Sequence, residues 1–127
     1  MDYENDSSTS RVDWGDYAYG MDKKGLPGDW VHVVSLVWGS YEWAGLHAFY
    51  SPKDRLYFWY GDSGCSCNGW GDDINSVADF SNGDRAALRA ALKGFAENNS
   101  AYSMSGDASV IDAIDALARF SPSEVAA

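Results

Sequence analysis

At 127 residues with a net charge of −10, the chain has the length of one domain and can bury a core without cross-links. Its hydrophobic content of 46%, including 15% aromatic residues, excludes a disordered chain, and no apolar run approaches the roughly 20 residues of a membrane helix. The acidity opposes contact with nucleic acid phosphates and anionic membranes; it is compatible with a protein partner of basic or apolar surface and, more commonly, with solubility alone.

The charge is uneven. Residues 1–29 carry seven acids against three bases, residues 61–82 carry four acids and no base, and residues 30–60 balance two against two. The acidity thus flanks the middle of the chain. Residues 1–11, with Ser7-Ser8-Thr9-Ser10 among acids, are expected as a flexible acidic arm, and residues 12–127 as a single α+β domain. The start, Met1-Asp2-Tyr3-Glu4-Asn5-Asp6, lacks the basic and then apolar pattern of a signal peptide. A reducing cytoplasm is therefore expected, with the two cysteines as thiols or ligands and not as a bridge.

Val12 to Tyr19 alternates in part and reads as a short edge strand, and Lys23 to Asp29 breaks into a turn. From Trp30 to Tyr60 lie ten of the chain's nineteen aromatic residues, interleaved with valine and leucine. Trp30–Trp38, Tyr41–Tyr50 and Arg55–Tyr60 read as three strands joined by turns at Gly39-Ser40 and Ser51-Pro52-Lys53-Asp54. With a two-residue first turn, Trp38 opposes Tyr41 and His32 opposes His47. One face then carries Trp30, His32, Val34, Leu36, Trp43, His47, Phe49, Leu56, Phe58 and Tyr60, and the other Val31, Val33, Val37, Leu46, Tyr57 and Trp59. Neither face is polar, so the sheet is covered twice or leaves an exposed aromatic patch of the kind that marks an interaction site.

Gly61-Asp62-Ser63-Gly64-Cys65-Ser66-Cys67-Asn68-Gly69-Trp70 reads as a tight, glycine-driven loop. Asp72 to Phe80 is a turn and a short helix. Ser81 with Asp84 three residues on forms a capping box that opens a helix to about Glu97, with Leu88, Ala91, Leu92 and Phe95 inward and Arg85, Arg89 and Lys93 on a solvated face. A last helix runs from Asp107 or Ser109 to about Phe120, before Pro122. The fold class is α+β: a three- to four-stranded antiparallel meander with two C-terminal helices packed on one face.

Three chemistries are legible around the loop. Cys65, Cys67, His32 and His47 are the ligand types of tetrahedral zinc, but Cys-x-Cys is tighter than the usual zinc-knuckle spacing, and small buried thiols packing a glycine turn is the preferred reading. Dithiol redox chemistry is disfavoured, because no helix N-terminus follows Cys67 directly to lower a thiol pKa. Gly61-Asp62-Ser63-Gly64 duplicates the nucleophile tetrapeptide of chymotrypsin-like proteases, yet the chain is too short for that fold, and His47, Asp54 and Ser63 fall within one hairpin. No catalytic set and no cofactor is therefore assigned, and zinc is kept as the minority option.

The segment from about Tyr41 to Leu92 resembles a family of small uncharacterised proteins common in phages of actinobacteria. The resemblance is carried by Leu56-Tyr57-Phe58-Trp59, by the core Asp62-Ser63-Gly64-Cys65-Ser66-Cys67, by Trp70 followed by Asp72-Asp73, and by Asp79-Phe80 before a helix. Where that family has a proline-rich turn after the second cysteine, this chain has Asn68-Gly69. The resemblance implies a phage protein acting in the host cytoplasm. A small acidic phage protein without a catalytic set is read as a non-enzymatic binder that modulates an actinobacterial host protein or defence component. Its interface is expected at Trp43, Trp59 and Trp70, ringed by Asp62, Asp72 and Asp73, as aromatic anchors with a charged rim. The alternatives are a domain that binds a small molecule or nucleotide signal in the glycine loop, and a minor virion or assembly component.

Overall fold

The computed structural model describes residues 11–17, 24–39, 41–99 and 107–125. The acidic arm, apart from Arg11, lies outside them. Four strands form one antiparallel sheet in the order β1 (Val31–Gly39), β2 (Glu42–Ser51), β3 (Leu56–Cys65), β4 (Ser81–Gly83). Two helices follow, α2 (Arg85–Asn98) and α3 (Asp107–Arg119), while Trp14–Tyr17 forms a single helical turn, α1. This is the expected α+β meander with both helices on one face. No helix among the described residues is long and apolar enough to cross a membrane.

The N-terminal segment differs from the expected edge strand. Arg11 makes an isolated bridge to Val31, and the chain then coils so that the Trp14 indole N–H donates to the Pro27 carbonyl at 2.7 Å. Large aromatic rings on a short segment are better buried by a turn lying across the sheet than by a strand at its edge, where one side stays wet.

The strand register also differs. Trp38 pairs with Ala44, Ser35 with His47 and His32 with Phe49, because the first turn is longer than two residues and the register slips between His32 and Val34. That β-bulge inserts one residue and exchanges the faces beyond it. Val34 and Leu36 therefore belong with Val31, Val33, Leu46, Tyr57 and Trp59 in the core under the helices. Val37 instead shares the opposite face and is 55% exposed.

The helices bury Leu88, Leu92, Ala96, Ala113 and Leu117 against this core, and Phe95 stacks on Trp38. Helix α2 starts later than the Ser81 box suggests. Ser81–Gly83 pairs with Tyr57–Trp59 as β4, and Asp84 is the N-cap, accepting from the Ala87 amide at 2.9 Å. Ser81 is used by the sheet, so the next residue able to cap takes over. Arg85 is likewise not on the solvated face: its guanidinium donates to the Leu117 carbonyl at 2.6 Å, Ala118 at 3.1 Å and Phe120 at 2.7 Å. It thus fills the orphan carbonyls at the end of α3, whereas Arg89 and Lys93 are exposed as expected.

The second face is covered by α1 and by residues 66–80, which bring Trp14, Trp70, Ile74 and Phe80 over Trp30, Phe49 and Phe58. Trp30 and Phe58 stack with ring centroids 4.6 Å apart. Both faces of the sheet are therefore closed by other parts of the chain.

Candidate functional site

The register sets three rows across the second face: His32, Phe49, Phe58; Ser35, His47, Tyr60; and Val37, Gly45, Asp62. Chemistry begins in the middle row. Ser35 Oγ lies 2.6 Å from His47 Nδ1 and 2.7 Å from His32 Nε2. Tyr17 lies against both imidazoles, and Trp70 meets His47 edge-on at 4.6 Å. Burial pushes His32 down to about 4, and burial, followed by the charge of His32, pushes His47 down to about 4. Neutral rings each offer one N–H and one lone pair, so Ser35 donates to one ring and accepts from the other. Burial raises the Tyr17 hydroxyl as well, keeping it protonated. The histidines share a face, as expected, but through Ser35 and a bulge and not as direct partners. Ser35 lies three positions after His32 and twelve before His47, a spacing with no motif signal, so the sequence marks the two histidines and not the serine between them.

Residues 61–65 do not form a loop. They continue β3 to Cys65, with Ser63 paired to Ala44 and Cys65 to Glu42. Glycine here admits close packing: a side chain at Gly64 would collide with the carboxamide of Asn68. The turn proper is Cys65 to Asn68, closed by Asn68 N–H to the Cys65 carbonyl at 3.2 Å and by Cys65 N–H to Asn68 Oδ1 at 3.0 Å. The Trp43 indole N–H is shared between the carbonyls of Cys65 at 2.9 Å and Asn68 at 3.2 Å. Gly39 and Gly64 flank Trp43 in the register, leaving its ring room to lie on the end of the sheet.

Cys65 and Cys67 are joined as a disulfide. This corrects the expectation of buried thiols: Cys65 is half-buried and Cys67 exposed, and the tight turn brings the two side chains together outside the core. The zinc set is not assembled. Cys65 pairs with Glu42 and His47 with Tyr60, so sulfur and imidazole sit five positions apart along β2, roughly 17 Å at the usual strand rise. Among the described residues no group of three or more metal-ligand side chains occurs.

The expected interface is redistributed. Trp59 and Trp70 are buried at 9% and 8% exposure, Trp59 under the helices and Trp70 over Gly45, its indole N–H donating to the Tyr60 carbonyl at 3.1 Å. They are core because the helices and the 66–80 segment each cover one face. Asp62 accepts from the amides of Ser63 and Gly71, and Asp72 from Gly69, so both carboxylates fasten the turn. Lys24 adds a tie, donating to the Gly71 carbonyl at 2.9 Å and to the Asp72 carbonyl at 3.2 Å. Asp73 is exposed, and with Asp62 and Asp79 it helps raise the Tyr60 hydroxyl, after burial.

Of the predicted anchors only Trp43 remains at the surface, half-buried. Beside it Tyr41 is 76% exposed and Glu42 is exposed. An open groove of about 460 Å³ runs along this end, lined by Glu42, Trp43, Ser63, Gly64, Cys65, Asn68 and Asn99. The sequence places the start of the second strand at Tyr41, whereas β2 begins at Glu42 and leaves Tyr41 in a turn longer than two residues.

No curated protein and no solved structure matches this chain. Residues 21–123 match the family described as Domain of unknown function (DUF7574), a span that holds the whole sheet and both long helices, and the chain belongs to that family.

Proposed function

We propose that the chain is a non-enzymatic binding protein of an actinobacteriophage that attaches, in the host cytoplasm, to a host protein through the turn end of β1, β2 and β3. The observation that carries this reading is the placement of exposed apolar side chains. Among the described residues the exposed large hydrophobics are Val37, Tyr41 and Ile111; Val37 and Tyr41 lie at this one end, next to Trp43. Single exposed apolar residues are ordinary, whereas a cluster next to a fixed indole has the makings of an anchor. The two carbonyls that hold the Trp43 N–H limit the side-chain entropy lost on binding.

The net charge of −10, with Glu42 on the rim, favours a partner with a basic surface. The phage source rests on the resemblance of Tyr41 to Leu92 described above. Capture from actinobacterial lysate tests the reading when paired with a Tyr41→Ser, Glu42→Lys variant and followed by titration of the purified partner. We expect at least roughly tenfold weaker binding by the variant, with folding unchanged. Equal affinity, or no specific partner, contradicts it. The groove supports a second reading, a small-molecule site, since its volume falls within the usual range for such pockets; a stoichiometric small-molecule adduct in native mass spectrometry would favour it.

A further inference from the structure

We infer that Cys65–Cys67 is a thiol–disulfide exchange site, attacked at Cys67 and selective for small thiols that carry a positive charge. The bridge is placed for exchange and not for stability. It spans a sequence separation of 2, so it constrains almost nothing of the unfolded chain, and it contributes nothing to either core cluster. Exposed bridges are the exchangeable ones. Cys67 is exposed and Cys65 half-buried, so an incoming thiolate reaches the Cys67 sulfur more readily.

The step balances without a further reagent. The thiolate attacks Cys67 Sγ, a new S–S bond forms as the Cys65–Cys67 bond breaks, and the electron pair leaves on Cys65, which takes up a proton. A second thiol attacks the mixed disulfide, releasing the oxidised thiol pair and leaving both cysteines reduced. Two small thiols are oxidised and one protein disulfide is reduced.

Selectivity follows from Glu42. It is the direct cross-strand partner of Cys65, so the two side chains stand on the same face of the sheet, and Glu42 also lines the groove. Its carboxylate repels an anionic thiol and opposes the thiolate that leaves on Cys65. A thiol with an ammonium group offsets both effects. The inference does not depend on the binding reading, because it requires only the bridge, its exposure and the neighbouring charge.

The test uses the full-length oxidised protein. Intact mass should fall short of the dithiol by two hydrogens, and iodoacetamide should not label the protein until a thiol is added. Opening is then timed with cysteamine and with glutathione, each rate being divided by its thiolate concentration. Cysteamine should open the bridge roughly tenfold faster at low salt, and the ratio should shrink at high salt and in Glu42→Gln. When opening of the intact bridge is trapped with iodoacetamide, the cysteamine adduct should map to Cys67 and the carbamidomethyl group to Cys65. Labelling of two thiols in the oxidised protein, a bridge that opens only in denaturant, or equal corrected rates at every salt concentration would each overturn the proposal.

Discussion

Nδ1 of His47 lies 2.6 Å from the Ser35 hydroxyl, and that contact joins β1 to β2 inside an otherwise apolar face. With His32 on the same oxygen at 2.7 Å, the serine satisfies two imidazoles at once. Ser35→Ala leaves both without that partner, and we expect about 1–3 kcal/mol of destabilisation. Urea denaturation measures it; a change below 0.5 kcal/mol would show that water replaces the hydroxyl.

The same pair sets an acid limit. Both imidazoles are depressed to about 4 in the folded protein, below the ordinary value near 6.5. The unfolded chain therefore binds more protons between those values, so the histidine contribution to stability is full above about pH 6.5 and is lost as pH falls toward 4. Imidazole proton resonances should stay flat from pH 8 to about pH 5. A midpoint near 6.5 for either ring would mean that it is open to water.

Arg85 closes α3 through three backbone carbonyls. Arg85→Ala should cost about 2–4 kcal/mol, since charge-assisted bonds and a helix terminus are lost together. Arg85→Lys should recover only part of this, because an ammonium cannot span the carbonyls as a planar fork does. Denaturant midpoints of the two variants check the order.

Gly64 and Asn68 are coupled by space. Gly64→Ala forces the Asn68 carboxamide away from the Cys65 amide, at a cost of roughly 1–2 kcal/mol. In an Asn68→Ala background the methyl has room, so the same substitution should cost at least about 0.5 kcal/mol less. Additive costs in the double-mutant cycle would place the Asn68 side chain elsewhere.

The strands and the two long helices were legible because their signals are local: aromatic and β-branched density for β1 to β3, apolar spacing for Leu88, Leu92 and Leu117. Four features were not, each for a physical reason. The bulge between His32 and Val34 depends on two-strand pairing and has no marker in one strand. Gly61 to Cys65 has turn composition, yet pairs along β2 because Phe95 occupies the space over Gly61 and Asn68 that over Gly64. Burial of Trp59 and Trp70 depends on which segments cover each face, which composition does not specify. The cysteines were read from compartment, whereas their geometry is set by the Cys65 to Asn68 turn.

The buried tryptophans also separate stability from contact. Trp70→Ala should cost about 3–5 kcal/mol, as expected for an emptied core site, while Tyr41→Ser at an exposed position should stay within about 0.5 kcal/mol. Thermal melts of the two variants distinguish these roles, and equal losses would put Tyr41 in the core.

The proposal that this end of the sheet binds a host protein is tested most directly by photo-crosslinking in expressing actinobacterial cells, with a photoreactive phenylalanine at position 41 or, on α3, at position 111. Both positions are exposed, at 76% and 61%. A single host protein crosslinked strongly from position 41 and weakly from position 111 is the predicted result. Equal labelling from both positions, or labelling from position 111 alone, would contradict the assignment of Tyr41, Val37 and Trp43 as the contact surface.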